Sequence, residues 1–135
     1  MAGYSAKPLI RKLGIQEDAR VLLINAPSGY FKLTGQWPAG ARLANENDSN
    51  VDFIHLFAVS MEDLECHLPM LKKRIKPNGM IWVSWYKKTS KIPTDVSEDL
   101  IRKAAVALGL VDIKVCAIDD NWSGLKLVIR KSNRP

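Results

Sequence analysis

VDFIHLFAVSMEDLECHLPMLKKRIKPNGMIWVSW, residues 51–85, decides the fold. Residues 51–59 are an apolar run of the kind a central strand needs, buried on both faces. Ser60 then stands where a helix N-cap belongs, Asp63 three residues on imitates a capping box, and Leu64, Leu68, Leu71 and Ile75 follow at helical spacing. Pro69 falls inside that helix; it removes an amide donor and clashes with the preceding turn, so a kink or a division into two pieces is expected. Lys72, Lys73, Arg74 and Lys76 crowd the end of the helix, where they suit its negative pole. Pro77-Asn78-Gly79 predicts a turn, and residues 80–85 predict a second central strand.

Upstream, residues 20–25 (RVLLIN) read as a buried parallel strand entering the turn Ala26-Pro27-Ser28-Gly29. A short helix precedes it, with Ser5 as its cap, Leu9, Ile10 and Leu13 on one face, and Gly14 as its stop. Only 25 residues separate Asn25 from Val51. A parallel crossover takes about a dozen residues, so this gap has room for one short helix and an edge strand near residues 42–45, and the sheet is expected to be narrow there. Downstream, Thr94 or Asp95 caps a second amphipathic helix that turns Val96, Leu100, Ala104, Ala107 and Leu108 to the sheet and ends at Gly109. VDIKVCAID and LKLVIRK then flank a connection too short for a helix, which makes them an antiparallel hairpin. This order predicts a three-layer α/β fold, its sheet mainly parallel with an antiparallel C-terminal hairpin, as a single domain over residues 1–131 with a short tail at 132–135.

Composition agrees with one folded core: 135 residues, 47% hydrophobic, 25% charged, and only 8 Gly and 7 Pro, which is neither a disordered nor a low-complexity chain. The first 15 residues lack the apolar centre of a secretory signal, and no stretch approaches the roughly 20 apolar residues that span a bilayer, so a cytoplasmic protein with no membrane partner is expected. Cys66 and Cys116 read as two reduced core thiols. The net charge of +6 allows a nucleic-acid partner, but the basic residues are spread over several segments, as on an ordinary solvated surface.

The stretch LKKRIKPNGMIWVSW resembles the leader helix, Lys-Pro-Gly-Gly and strand signature of class I S-adenosylmethionine-dependent methyltransferases, and the closing hairpin is similar to the reversed last strands of that fold. The resemblance implies a truncated, Rossmann-like methyltransferase fold over roughly residues 21–131. Along nearly the whole chain, SAKPLIRKLGI, RVLLINAPSGY, HLFAVSMEDLE, WVSWYKK, PTDVSED and NWSGLKLV also resemble a family of small bacterial proteins of unknown function. In the methyltransferases the first strand ends in an acidic residue and a loop with several glycines, which lets the backbone approach the cofactor. Here that place holds Asn25-Ala26-Pro27-Ser28-Gly29-Tyr30: one glycine, a proline and no carboxylate. A second acid should end the next strand to bind the ribose, where Glu46 or Asp48 would have to stand in. S-adenosylmethionine is therefore a candidate cofactor, and not the favoured one.

In open α/β sheets, ligands gather at the carboxyl ends of the parallel strands. That rule selects Asn25, Ser28, Gly29 and Tyr30 after the first strand, Ser60 after the second, Trp85, Lys87 and Lys88 after the third, and Asp119 and Trp122 at the hairpin tip. Lys87-Lys88-Thr89-Ser90 suits an anion such as phosphate or a nucleotide, with Gly29 and Ser60 adding donors at helix N-termini, although paired lysines are also common in solvated loops. Trp85, Tyr86 and Trp122 offer faces to a nucleobase, with core packing as their more usual role. Cys66 and His67 are adjacent and point about 100° apart on a helix, so no metal site is expected. Asp119 and Asp120 have the composition of a turn, and no catalytic residue is assigned. The leading expectation is a small-ligand-binding module for an anion; a methyltransferase with an atypical cofactor loop and a basic nucleic-acid or protein-interaction domain are the alternatives. Every one of these roles requires Asn25, Ser60 and Lys87 to share one rim.

Overall fold

In the computed structural model, which describes residues 8–45 and 47–134, the deciding stretch forms one strand–helix–strand unit. Helix α1 (Leu9–Leu13), strand β1 (Arg20–Ile24), helix α2 (Tyr30–Thr34) and strand β2 (Arg42–Leu43) precede it. The unit itself is β3 (Val51–Phe57), α3 (Met61–Arg74) and β4 (Ile75–Tyr86), and α4 (Glu98–Ala107), β5 (Leu110–Ala117) and β6 (Trp122–Ile129) complete the fold. Among the described residues the strands form one sheet in the order β2-β1-β3-β4-β6-β5. The first four run parallel, and β6 lies antiparallel to both β4 and β5. The shortened segment between β1 and β3 holds one five-residue helix and a two-residue edge strand, as its length requires.

Two cores sandwich the sheet. On one face Leu22, Ile54, Leu56, Ile81, Val83, Leu125 and Leu127 meet Leu64, Leu68 and Leu71 of α3 and Ile101 and Ala105 of α4. On the other, Val21, Phe53, Phe57 and Trp82 meet Leu13 and Tyr30. The Trp82 indole Nε1 donates to the Leu13 carbonyl at 2.8 Å, which satisfies a polar group that the core would otherwise strand and pins α1 to the sheet.

Several local expectations change. Pro69 lies inside a continuous helix rather than at a break. The carbonyl it leaves without a donor belongs to the exposed Glu65, where solvent satisfies it, while Leu64, Leu68 and Leu71 hold both halves on the sheet. Pro77-Asn78-Gly79 does not precede β4 but lies within it: Ile75 already pairs with Val51, the register slips, and Met80 pairs with Phe53. Helix α4 is capped by Ser97, whose hydroxyl accepts from the Leu100 amide, and not by Thr94 or Asp95. With that later start its buried positions are Ile101 and Ala105, with Ala104 and Leu108 half-buried; Leu100 and Ala107 face outward. Ser5 and Glu46 lie outside the described residues, and the tail after β6 folds as a short turn in which the Asn133 side chain donates to the Gly109 carbonyl.

The register slip explains Gly79. A Cβ at that position would stand 2.8 Å from Ile75 Cγ1 and 2.9 Å from the Asp52 carbonyl oxygen, and the latter is backbone that cannot swing aside. Gly79→Ala is expected to lower unfolding stability by about 1–3 kcal/mol, the usual range for overpacking. Urea denaturation measures it, and a midpoint equal to wild type would contradict the close approach.

Candidate functional site

The register aligns the carboxyl ends of three neighbouring strands. Ile24 lies beside Leu56 and Leu56 beside Val83, and the Ala58 amide continues the ladder by donating to the Ser84 carbonyl at 2.9 Å. Asn25, Ser60 and Lys87 therefore follow adjacent parallel strands and lie along one edge of the sheet. Lys87 is tied there to the hairpin tip, its amide donating to the Asn121 carbonyl at 2.8 Å.

The chain leaves β1 through a left-handed residue that is not glycine. Asn25 takes the left-handed conformation (φ 58°), which its short polar side chain tolerates. Gly29 has φ −88° and nothing within 4 Å of a Cβ built on it, so no close approach of backbone to a neighbour demands a glycine there. Ser28 and Gly29 are exposed, and the next residue turns sharply inward.

Tyr30 is 1% exposed and His55 and Ser84 are fully buried. The Tyr30 hydroxyl is 2.9 Å from His55 Nδ1, and His55 Nε2 is 2.7 Å from the Ser84 hydroxyl, so the imidazole joins α2 to β4 through the middle of β3. Phe57 stacks on the imidazole with ring centres 4.3 Å apart, and Phe53 and Trp82 close the surroundings. Burial pushes His55 down to about 3 and the Tyr30 phenol up, since neither charged form has a countercharge in this apolar setting. His55 is thus a neutral hydrogen-bonding hub, and Tyr30 is its anchor on the loop side. A single histidine inside an apolar run was the sequence signal for this network; its two partners carried none.

The aromatic rings expected at the rim are also packed. Trp85 is 9% and Trp122 7% exposed; Trp85 belongs to the α3/α4 core, and Trp122 lies stacked on Tyr86 with ring centres 4.0 Å apart. Neither tryptophan leaves a face free for a nucleobase. Asp119 Oδ1 accepts from the amides of Asn121 (2.8 Å) and Trp122 (2.9 Å), as an acceptor closing a tight turn.

At the start of α3 the chain supplies its own acceptors. The Ser60 hydroxyl accepts from the Asp63 amide at 3.1 Å, and Asp95 Oδ1 accepts from the Met61 amide at 2.9 Å. The Thr94 hydroxyl donates to the Val59 carbonyl at 2.8 Å, so residues 94 and 95 clasp the junction of β3 and α3. The Met61 and Asp63 amides at this helix start are therefore engaged within the chain. Beyond this clasp, a cleft of about 770 Å³ is walled by Trp85, Lys87, Lys88, Lys91, Pro93 and Ser97, among others. Its acidic residues already have partners: Asp95 holds the α3 amide, and Glu98 and Asp99 both bind Arg102. Lys88 and Lys91 are exposed and enter no ion pair among the described residues.

Asp48 lies at the opposite, amino edge of the sheet. β2 pairs only with Arg20 and Val21 at the start of β1, and Asp48 Oδ2 is 2.8 Å from the Arg20 guanidinium. Its carboxyl is held below the usual range by the Asn45 amide and by Arg20, and its carbonyl accepts from Arg74. It cannot reach the rim as a ribose ligand. A pocket of about 320 Å³ opens on this amino edge, lined in part by Gly14, Gln16, Asp52, Lys76, Asn78 and Met80. Among the described residues no His, Cys, Asp and Glu cluster is arranged for a metal ion, and no helix is long and apolar enough to cross a membrane.

No family model matches the sequence, and no curated protein does. Solved structures share its fold. An S-adenosylmethionine-dependent methyltransferase from Aquifex aeolicus superposes with a TM-score of 0.64 at 18% identity, over 90% of this chain and 87% of that one. A putative type 11 methyltransferase from Sulfolobus solfataricus gives 0.65 at 16% identity, over 96% and 93%. A precorrin-6y C5,15-methyltransferase from Geobacter metallireducens gives 0.64 at 11% identity, over 88% and 84%. At these identities the likeness is one of fold: a Rossmann-like, methyltransferase-type α/β sheet.

The buried imidazole carries a pH dependence of known sign. Unfolded, His55 titrates near 6.5, and folded near 3, so below pH 6.5 the unfolded chain binds the additional proton. Stability is complete above pH 6.5 and falls as pH drops toward 3, by up to about 1.4 kcal/mol per pH unit from this group. His55→Gln is expected to flatten that slope between pH 6.5 and 4.5, as read from urea unfolding at stepped pH; equal slopes in the two proteins would contradict a neutral buried hub.

Proposed function

We propose that this chain is a small-ligand-binding module that takes an anionic, phosphate-bearing molecule such as a nucleotide in the cleft beside the end of β4. One observation carries the proposal. Lys88 and Lys91 line that cleft without an ion pair among the described residues, while Glu98 and Asp99 on its wall are paired with Arg102, which supports an anionic ligand. The site belongs to the edge where open α/β sheets gather ligands, which supports the choice of this cleft over the amino-edge pocket.

Methyl transfer from S-adenosylmethionine is the second reading, favoured by the fold of the Aquifex, Sulfolobus and Geobacter proteins. The residues present fit that cofactor poorly: Asn25 stands where the resemblance expects a carboxylate, the loop holds a single glycine, and Asp48 is bound to Arg20 at the far edge. Likeness of fold does not transfer an activity when the site residues differ.

ATP at millimolar concentration is expected to raise the Tm of the wild-type chain and to raise that of Lys87→Ala/Lys88→Ala by clearly less. Absence of any shift in wild type removes the proposal. Titration calorimetry with S-adenosylmethionine is expected to show no micromolar binding; a micromolar Kd puts the second reading in its place.

A further inference from the structure

On the sheet face that α1 covers, Lys114 of β5 and Lys126 of β6 stand directly opposite one another. Like charges at directly opposed cross-strand positions repel, and an acidic neighbour usually relieves them. None does so here. The ion pairs among the described residues are made by Arg20, Lys76 and Arg102, and neither Lys114 nor Lys126 enters one. Lys114 Nζ donates to the Lys12 carbonyl at 3.0 Å, one of the last carbonyls of α1, which accounts for its position but does not neutralise its charge. Lys126 has no hydrogen-bond acceptor among the described residues.

The surroundings of Lys126 are apolar on the protein side. It pairs across the ladder with Trp82, and a Cβ built on Gly14 would lie 4.0 Å from its Nζ and 3.4 Å from Met80 Sδ. Partial burial, and then the Lys114 charge, hold its ammonium below the usual lysine range. Cys116, two residues from Lys114 on the same strand, supplies no countercharge, because burial pushes its thiol up. Gly14 and Met80 also line the 320 Å³ pocket of the amino edge, whose walls carry Glu17, Asp18 and Asp52 beside Lys76, so Lys126 stands at the margin of that space and not within it.

We infer that Lys114 and Lys126 form a site for a tetrahedral oxyanion such as inorganic phosphate. A dianion between two ammonium groups converts their repulsion into two attractions, and the partial burial of Lys126 screens its share less than open water does, while Lys114 is exposed. Each ammonium has three protons to donate, so Lys114 keeps donors for the anion after bonding the Lys12 carbonyl. This site is separate from the β4 cleft and does not depend on the function proposed there.

The test measures the Tm of the full chain in inorganic phosphate against chloride at equal ionic strength, for wild type, Lys126→Gln and Lys87→Ala/Lys88→Ala. At about ten times its Kd, phosphate should raise the Tm of wild type and of the double variant by about 4 °C and leave Lys126→Gln unmoved. In chloride, Lys126→Gln should be at least as stable as wild type, since it removes a repulsion. No shift in wild type, a shift retained by Lys126→Gln, or a shift lost in the double variant would overturn the inference. Should Lys126→Gln not fold, NMR titration of Lys126 in wild type decides: phosphate must raise its pKa, and an unchanged value counts against the site.

Discussion

The length of chain between Asn25 and Val51 constrains everything on that side of the molecule. Its 25 residues must leave β1, form α2, pass through β2 and return to start β3. With so little chain, β2 reaches only the level of Val21, and the connection that follows turns back to the amino edge. Asp48 is carried there with it and is fixed between Arg20 and the Arg74 side chain that binds its carbonyl. The same shortening that narrows the sheet therefore also removes a carboxylate from the rim. Width of fold and chemistry of site are one consequence, and the half-exposed Phe31 and Leu43 are another, since no further strand or helix is present to cover them.

A five-residue helix is too short to persist by its own hydrogen bonding, so α2 needs an anchor in the core. Tyr30 provides it. Burying a phenol, an imidazole and a hydroxyl is tolerable only when each is bonded, and the chain from Tyr30 through His55 to Ser84 meets that condition with no buried side-chain polar atom left unpaired among the described residues. The rim loop at residues 25–29 is thus positioned from inside the protein. Tyr30, which its sequence position made a candidate ligand contact, instead serves as the fastening of that loop.

Much of the fold was legible because its signals are periodic or local. The apolar runs, the Ser60 cap, the stops at Gly14 and Gly109 and the short hairpin connection each follow from a few adjacent residues, and the width of the sheet follows from counting. What escaped depended on contacts remote in sequence. Asp95 looked like the cap of its own following helix, but its carboxylate is drawn 34 positions away to the Met61 amide, leaving Ser97 to cap α4. Pro77-Asn78-Gly79 has the composition of a turn, yet Ile75 pairs with Val51 before it and makes it an irregularity within a strand. The rim itself was legible from strand order, whereas which of its groups remain uncommitted was not, because that is settled by tertiary partners.

Those partners are particular to this chain, so the shared fold does not by itself say what chemistry its edge carries. At the carboxyl edge, the positions where a bound ligand would meet backbone amides or carboxylates are occupied by the chain: Asp95 on the α3 amide, Asp119 on its own turn, Arg102 on Glu98 and Asp99. Among the described residues, Lys88 and Lys91 by β4 and Lys114 and Lys126 by α1 enter no ion pair, and they lie to the side of those positions. The two proposed sites would select a ligand by negative charge rather than by the shape of a glycine-rich loop, and that difference follows from residues in this chain and not from the sheet that carries them.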